Sequence, residues 1–515
     1  MDRLLPLLTL GGAFAVVLLQ LRMRWPGWLG LPLALLAIRL ALDVGTSAWA
    51  HDPTESSGAL ARGALPGEVN PATLLILTFY GALVVGLLLV RVLRTSAPVP
   101  TGARVADVDE ATVDRCWRAS VAVFSAGAVL NVVSLAFLLR SGSVGDLARR
   151  SAYTDLDALS NPLYQGARVL STAMFVGSLG MVLFGTRSSR RRRTAGLIGA
   201  TTYIMVQSML GGRGATISGL ITLALVWNYG VQRMRARDGV RFLLVGALAF
   251  VYIYAVRFDF TDPSAALGNT VGDVLSADRI DDTAFMLREV PDVLPHSGLG
   301  PILAGVSHAY PGVPLPGARN TWSIIVDRYY DGVNPQQGIG GSNFSTAGEL
   351  YLVGGLRAVV LGGLLVGLAA GVFFEWQRRN RRNPFVLLLA SLVVLALFDG
   401  ASGRLWYALG GLAVGAYVPI AAIAGLSLRP LVLRRLYLLI IHSALTLYLT
   451  FLFVRGFAGA QSAIVGLGIS VLSTGLKLSV LGLMAAVYIS GIRIIQRAGA
   501  PFVSEESLRS KVART

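Results

Sequence analysis

Apolar runs long enough to cross a lipid bilayer recur along almost the whole of this chain. A transmembrane helix needs about 20 mainly apolar residues, because a helix rises about 1.5 Å per residue across a hydrocarbon core about 30 Å thick. Only 14% of the 515 residues are charged and 54% are hydrophobic, whereas soluble domains carry about 25% charged residues. The chain is therefore predicted to be an all-α polytopic membrane protein, a single integral membrane domain over residues 1–515.

We expect about 12–14 transmembrane helices, since each needs about 20 apolar residues. The predicted spans are 4–21, 27–44, 73–93, 117–139, 165–185, 195–210, 215–230, 242–256, 350–374, 384–398, 405–427, 436–454 and 461–492. Small residues within a span favour close helix packing. The run GGLLVG (362–367) is accordingly interpreted as a packing motif.

The net charge of +17 is concentrated in short arginine runs between apolar segments. Positive charge in short loops marks the cytoplasmic side of a membrane protein, so these runs are predicted to face the cytoplasm. They are Arg187–Arg193, Arg233–Arg241, Arg378–Arg382 and Arg429–Arg435. Nucleic-acid binding is the other common use of such runs, and their position in hairpins between spans argues against a nucleic-acid partner.

The C-terminal region is basic as well, and residues 498–515 are predicted to form a short cytoplasmic tail. That orientation requires the run 461–492 to cross the membrane only once, although the run is long for one helix and short for two. A tilted, kinked or partly re-entrant segment would satisfy both conditions.

Alternation of the spans predicts one large extracytoplasmic loop, residues 259–348. Loops of this length are uncommon in compact domains and are usually functional. The loop ends in the stretch GSNFSTAGELY (341–351), which leads into the apolar run 350–374. Glu349 is a candidate general base at the predicted start of a span near the outer interface, and His308 is the second candidate. Compensation of the partial charge at a helix N-terminus is the alternative role for Glu349.

Four arginines are predicted on the external side, where the topology gives no reason for them. They are expected at or just below the outer membrane interface, where an ionisable residue is a functional candidate. The planar guanidinium group of arginine binds phosphate through two parallel hydrogen bonds. Snorkelling to lipid phosphates is the alternative for each of them. The candidate diphosphate-binding residues are Arg213, Arg257, Arg319 and Arg404.

The loop also carries aromatic and amide side chains that suit sugar rings, although interfacial aromatic belts use the same aromatic residues. The candidate sugar-binding residues are Tyr329, Tyr330, Asn343 and Tyr351. The four histidines and the one cysteine have no metal-ligand spacing. No metal site and no cofactor are therefore predicted.

Three segments together resemble bacterial oligosaccharide repeat-unit polymerases of the O-antigen polymerase (Wzy) type. They are GGRGATISGLITLAL (211–225), YPGVPLPGARNTW (310–322) and GSNFSTAGELYLVGGLRAVVLGGLLVG (341–367). In that family a polar stretch ends in Gly-Glu-hydrophobic-Tyr before a glycine-rich helix, and Gly348, Glu349 and Tyr351 match this pattern. The apolar sequence after about residue 430 departs from the family.

The resemblance implies a GT-C-like, metal-independent glycosyltransferase on the outer face of the bacterial plasma (inner) membrane. Such an enzyme transfers a growing glycan from undecaprenyl diphosphate to another lipid-linked repeat unit, and so builds O-antigen, capsule or exopolysaccharide. The external arginines would hold the leaving diphosphate, and Glu349 or His308 would deprotonate the acceptor hydroxyl. Arg213 and Glu349 are the better matches to the family.

The implied partners are the undecaprenyl-diphosphate-linked oligosaccharide, the lipid bilayer, and a flippase and a chain-length regulator of the same pathway. Two alternatives remain open at this point. An O-antigen ligase-type transferase uses the same donor with a different acceptor. A transporter of polysaccharide or lipid-linked sugar would carry ionisable residues at mid-membrane depth.

Overall fold

All regular structure in the described part of the chain is helical, and no strand occurs in it. The computed structural model describes residues 4–23, 27–45, 67–93, 109–141, 162–185, 190–209, 213–232, 278–307, 317–321, 344–380, 382–403, 405–428 and 466–503, with a few isolated residues between them. The predicted spans 242–256 and 436–454 lie outside these residues. The helical class predicted from the apolar runs is confirmed.

The helix boundaries follow the predicted spans closely. In chain order the helices are α1 Leu4–Met23, α2 Gly27–Leu40, α3 Val69–Leu93, α4 Glu110–Ser141, α5 Pro162–Phe184, α6 Arg190–Met209, α7 Arg213–Val226, α8 Asp278–Glu289, α9 Gly300–Val306, α10 Thr346–Arg379, α11 Pro384–Ser402, α12 Leu405–Leu412, α13 Val418–Ser427 and α14 Gly466–Val503. π-helical turns extend α2 (Ala41–Gly45) and α7 (Trp227–Val231), and another joins α12 to α13 (Ala413–Tyr417).

Several of these helices have the length and composition of membrane spans. Among the described residues, four are long and apolar enough to cross a bilayer: Val69–Leu93, Glu110–Ala136, Thr346–Arg379 and Ala408–Ser427. Four shorter apolar helices accompany them: Leu4–Val16, Leu170–Phe184, Ser218–Val231 and Pro384–Leu397. Their outward faces carry apolar side chains, such as Leu365 of α10 (64% exposed) and Val132 of α4 (65% exposed). A surface of this kind suits lipid, as expected for an all-helical membrane protein.

Two of the four arginine runs that the sequence assigns to one side, those at the start of α6 and just before α11, lie at one end of the helix bundle. Arg192 at the start of α6 donates to Asp114 at the start of α4 over 2.6 Å. The end of α5 meets the start of α11, where the rings of Phe184 and Phe385 lie 5.4 Å apart, and Phe502 of α14 packs on both. We call this the arginine-rich end.

The C-terminal run forms one continuous helix. Helix α14 extends from Gly466 to Val503 without a reversal. Its last turns lie at the arginine-rich end, because the Asn383 side-chain amide donates to the carbonyl of Ile495 over 2.9 Å. A single passage was the arrangement that the basic C-terminus required, and the helix continues into the segment predicted as a tail from residue 498.

Helices α3 and α10 pack side by side through glycines that recur at every fourth residue of α10. A Cβ atom at Gly363 would lie 2.7 Å from the carbonyl oxygen of Phe79, and one at Gly371 would lie 3.0 Å from the Cβ of Val90. A Cβ atom at Gly367 would collide with the carbonyl oxygen of Leu83. Because the contacts advance in the same direction along both helices, α3 and α10 are parallel. The interpretation of GGLLVG as a packing motif is confirmed.

Helix α10 is interrupted near its start by a reversal of the chain. Gly354 and Gly355 have non-helical backbone angles, with φ +67° and ψ −159° at Gly355. Leu350, which precedes the break, contacts Gly362, which follows it: a Cβ atom at Gly362 would lie 2.7 Å from the Leu350 side chain. Twelve residues of straight helix rise about 18 Å, farther than a leucine side chain extends. Helix α10 is therefore a hairpin with a short arm, 346–353, and a long arm, 356–379.

Substitution of Gly355 by alanine is expected to destabilise this hairpin by about 1–3 kcal/mol, because its backbone conformation is one that essentially only glycine adopts. The midpoint of thermal unfolding in detergent should fall accordingly. Gly354→Ala is the matched control, since φ −174° at Gly354 is extended backbone open to any residue. Equal stability of the two variants would contradict the proposed geometry of the break.

Candidate functional site

The short arm of α10 is buried and seated on helix α8. Residues 344–350 are all buried. Ser345 caps the arm, because its hydroxyl oxygen accepts from the backbone N–H of Gly348 over 2.9 Å. The same hydroxyl lies 2.5 Å from that of Thr283 in α8, and Met286 packs against Gly348. The position of this arm therefore depends on α8.

Glu349 lies on this short arm and is only 3% exposed. Its Oε1 atom accepts a hydrogen bond from the hydroxyl of Thr321 over 3.2 Å, and Thr321 is itself buried. Thr321 lies two residues after Arg319, whose side chain is exposed and whose backbone N–H donates to Gly300 over 3.2 Å. The carboxylate thus joins two segments that the sequence analysis singled out separately, 310–322 and 341–351.

The position of Glu349 relative to the long apolar helix differs from the one that the sequence predicts. The sequence predicts a carboxylate at the outer mouth of a span that starts near residue 350. Instead, the long arm begins after Gly355, and the short arm folds back beside it so that Leu350 lies next to Gly362. The break at Gly355 is the physical reason, because it turns the polar start of the run back along its own apolar continuation.

Helix α8 extends along α3 in the opposite direction. Near its end, Arg288 donates to Glu68, just before α3, over 3.0 Å. Near its start, Ile280 is buried in the apolar cluster that includes Tyr80 of α3. Tyr80 lies about 16 Å along α3 from Val69, at about 1.5 Å per residue. Part of the predicted loop 259–348 therefore packs among the helices.

The connection between α11 and α12, which we call the 400–405 turn, joins the starts of α8 and α10. The Thr346 hydroxyl donates to the carbonyl of Gly400 over 2.6 Å and accepts from the N–H of Leu405 over 3.4 Å. A Cβ atom at Gly403 would lie 2.7 Å from the carbonyl oxygen of Phe344 and 3.2 Å from the guanidinium of Arg279. The predicted diphosphate-binding residue Arg404 follows Gly403 in the sequence and lies outside the described residues.

Arg213 begins α7 at about the level of the same turn. The end of α7 lies against the start of α11, where a Cβ atom at Gly230 would be 3.0 Å from the side chain of Leu387, so the two helices are antiparallel. Seventeen residues back along α7 and seventeen forward along α11 each cover about 26 Å. The backbone of Arg213 is therefore about level with the end of α11 at Ser402.

Tyr351 is the candidate sugar-binding residue whose side chain the structure describes. It is half-buried, and its ring lies edge-on to His296 with the ring centres 6.4 Å apart. The next residue, Ser297, donates through its backbone N–H to the carbonyl of Leu352 over 2.9 Å. This bond satisfies a carbonyl near the break in α10 and ties residues 296–297 to the hairpin. The other predicted site residues lie outside the described part: His308, Arg257, Tyr329, Tyr330 and Asn343.

A buried polar network beside α8 was not predicted. The hydroxyl of Tyr80 donates to Oδ2 of Asp43 over 3.1 Å, and Nε of Arg39 lies 3.2 Å from Oδ1 of the same carboxylate. Asp43 is 5% exposed. The spacing of Arg39 and Asp43, four residues apart within an otherwise apolar run, was the sequence signal for an ion pair on one helix face. Arg279 and Thr321 carried no such signal, because their partners are distant in sequence.

The arrangement can accept a proton and bind an anion. Glu349 offers a carboxylate held by a hydroxyl donor, and arginine-bearing segments adjoin it at Arg319 and at the 400–405 turn. Among the described residues, no group of three or more His, Cys, Asp or Glu side chains could hold a metal ion. Comparison of the chain with protein-family models, with curated proteins and with solved structures finds no match.

Proposed function

We propose that this protein is a membrane glycosyltransferase that polymerises undecaprenyl-diphosphate-linked oligosaccharide repeat units into a cell-surface polysaccharide. The observation that carries the proposal is the hydrogen bond from Thr321 to Glu349. It brings two of the three segments that resemble O-antigen polymerases into contact across 28 residues. Arg213, from the third segment, starts its helix at about the level of the 400–405 turn.

The proposed reaction assigns one role to each kind of side chain. Glu349 takes the proton of the acceptor hydroxyl as the hydroxyl oxygen attacks the anomeric carbon of the donor sugar. The bond between that carbon and the diphosphate oxygen breaks, and the electron pair leaves with the diphosphate. Arginine side chains near the 400–405 turn stabilise the charge that develops on the leaving group. Burial strengthens these interactions because the surroundings have a low dielectric constant.

Thr321 positions the carboxylate in this scheme. Thr321→Val keeps the shape of the side chain and removes the hydroxyl donor, so the polymerisation rate is expected to fall about tenfold, as for the loss of a hydrogen bond to a charged group. Thr321→Ser retains the donor and should restore most of the rate. The rate of chain growth in proteoliposomes measures both variants, and a normal rate for Thr321→Val would contradict the positioning role.

Reconstitution tests the function directly. Proteoliposomes containing the full-length protein are supplied with a lipid-linked repeat unit, and the products are sized on a gel. A polymerase yields a ladder of increasing length. Transfer of one preformed glycan to a different acceptor without lengthening would identify a ligase-type enzyme. Movement of single repeat units across the membrane without any transfer would identify a transporter, and either result would overturn the proposal.

A further inference from the structure

Arg279, which lies in the first turn of α8, contacts the 400–405 turn directly. The Nη1 and Cζ atoms of Arg279 would lie 3.2 and 3.3 Å from a Cβ atom at Gly403. The planar guanidinium therefore rests against the glycine backbone, where any larger residue would displace it. Arg404 is the next residue in the chain. This contact places a half-buried arginine side chain beside the segment that carries a predicted phosphate ligand.

The structure fixes the backbone of Arg279. Thr283, one turn further along α8, donates to the carbonyl of Arg279 over 2.6 Å and contacts Ser345 at the start of the short arm. The guanidinium itself is restricted by its contact with the backbone of Gly403. A side chain restricted in this way loses less conformational freedom when it binds a ligand, which favours affinity.

The depth of Arg279 in the bundle requires an explanation. Arg279 precedes Arg288 by nine residues, about 14 Å of helix, and Arg288 bonds Glu68 just before α3, so Arg279 lies well along that apolar helix. Ionisable side chains at such depths are costly, and they mark ligand or ion sites more often than packing positions. A ligand carried by a lipid can approach such a position from the bilayer, whereas a soluble ligand would have to leave water to reach it.

We infer that Arg279 binds a lipid-borne phosphate group at the 400–405 turn. Arginine is suited to this task, because its fork of N–H donors matches two phosphate oxygens. The identity of the lipid rests on the proposed function, under which the ligand is the diphosphate of the polyprenyl carrier. A headgroup phosphate of a bilayer lipid offers the same chemistry. The two sources are separated by the choice of probe.

Binding is measured on the full-length protein in phosphatidylcholine nanodiscs, with undecaprenyl diphosphate as one probe and phosphatidylglycerol as the other. Arg279→Gln is expected to weaken binding of undecaprenyl diphosphate about 10- to 100-fold, as for loss of a charge-assisted hydrogen bond. Arg279→Lys keeps the charge without the planar fork and should show a smaller loss. Arg288→Gln is the matched control, because Arg288 lies on the same helix and bonds Glu68 near its other end.

The outcomes separate this inference from the proposed function. A loss with undecaprenyl diphosphate alone supports the inference and the polyprenyl source, whereas an equal loss with phosphatidylglycerol supports it with a bilayer headgroup as the source. Unchanged binding by well-folded Arg279→Lys and Arg279→Gln overturns it even if the wild-type protein polymerises glycan. Weakened binding by a protein that makes no polymer leaves the inference standing and refutes the proposed function.

Discussion

Replacement of Glu349 by glutamine is expected to reduce the rate of polymerisation by at least about 100-fold, the usual contribution of a positioned general base. Glutamine has nearly the same shape and can still accept the hydrogen bond from Thr321, so the short arm of α10 should keep its place. What it loses is the ability to take a proton. The rate of ladder formation in proteoliposomes measures the effect. Glu349→Asp retains a carboxylate on a shorter side chain, so its polymerisation rate should lie between those of the wild type and Glu349→Gln.

Glu375 provides the matched control on the same helix. It is also buried, at 1% exposed, and it lies near the arginine-rich end, where Arg378 and Arg379 donate to it over 2.9 and 3.0 Å. Glu375→Gln weakens those ion pairs and is expected to lower the midpoint of thermal unfolding. Its rate per folded molecule should stay close to that of the wild type. If Glu349→Gln polymerises as fast as Glu375→Gln, another group is the base.

Much of the bundle was accessible from the sequence because it depends on local patterns. Apolar length predicted the helices, and the run GGLLVG (362–367) predicted close helix packing before its partner was known. The arginine runs predicted helix ends on one side, and the described runs at the start of α6 and before α11 do lie at one end of the bundle. Each of these properties is encoded within a single turn or a single span.

The candidate site depends on contacts between distant residues, and the sequence predicted less of it. The one charged residue of the run 350–374, Arg357, comes after the break, and apolar residues lie on both sides of Gly354 and Gly355, so hydropathy does not separate the short arm from the long arm. The reversal depends on the backbone angles of Gly355 and on the bond from Ser297 to Leu352 across 55 residues. Arg279 was not among the predicted site residues, because its contact at Gly403 is distant in sequence. Only the packing of α8 on α3 brings it to Gly403.

The contact between helices α3 and α10 along the glycines of α10 gives the largest expected effect on stability. Gly367→Ala places a methyl group against Leu83, with that residue's carbonyl oxygen in collision and the Cα of Gly86 only 3.0 Å away. These obstacles are backbone atoms, so no change of side-chain rotamer relieves the clash and the two helices must separate. Overpacking of a core costs about 1–3 kcal/mol. A lower midpoint of thermal unfolding in detergent is therefore expected, with loss of polymerisation, because α10 also carries the short arm with Glu349.

Gly411→Ala is the matched control for this substitution. Gly411 lies in helix α12, and among the described residues no atom beyond its own stretch of helix lies within 4 Å of the position that a Cβ would take, so the added methyl meets no such atom. Alanine is also favoured over glycine in a helix by about 1 kcal/mol. Gly411→Ala should therefore unfold at the wild-type temperature or above it, and its polymerisation rate should be unchanged. If Gly367→Ala were as stable as Gly411→Ala, helices α3 and α10 would not touch along their glycines, and the hairpin that positions Glu349 would lose its support.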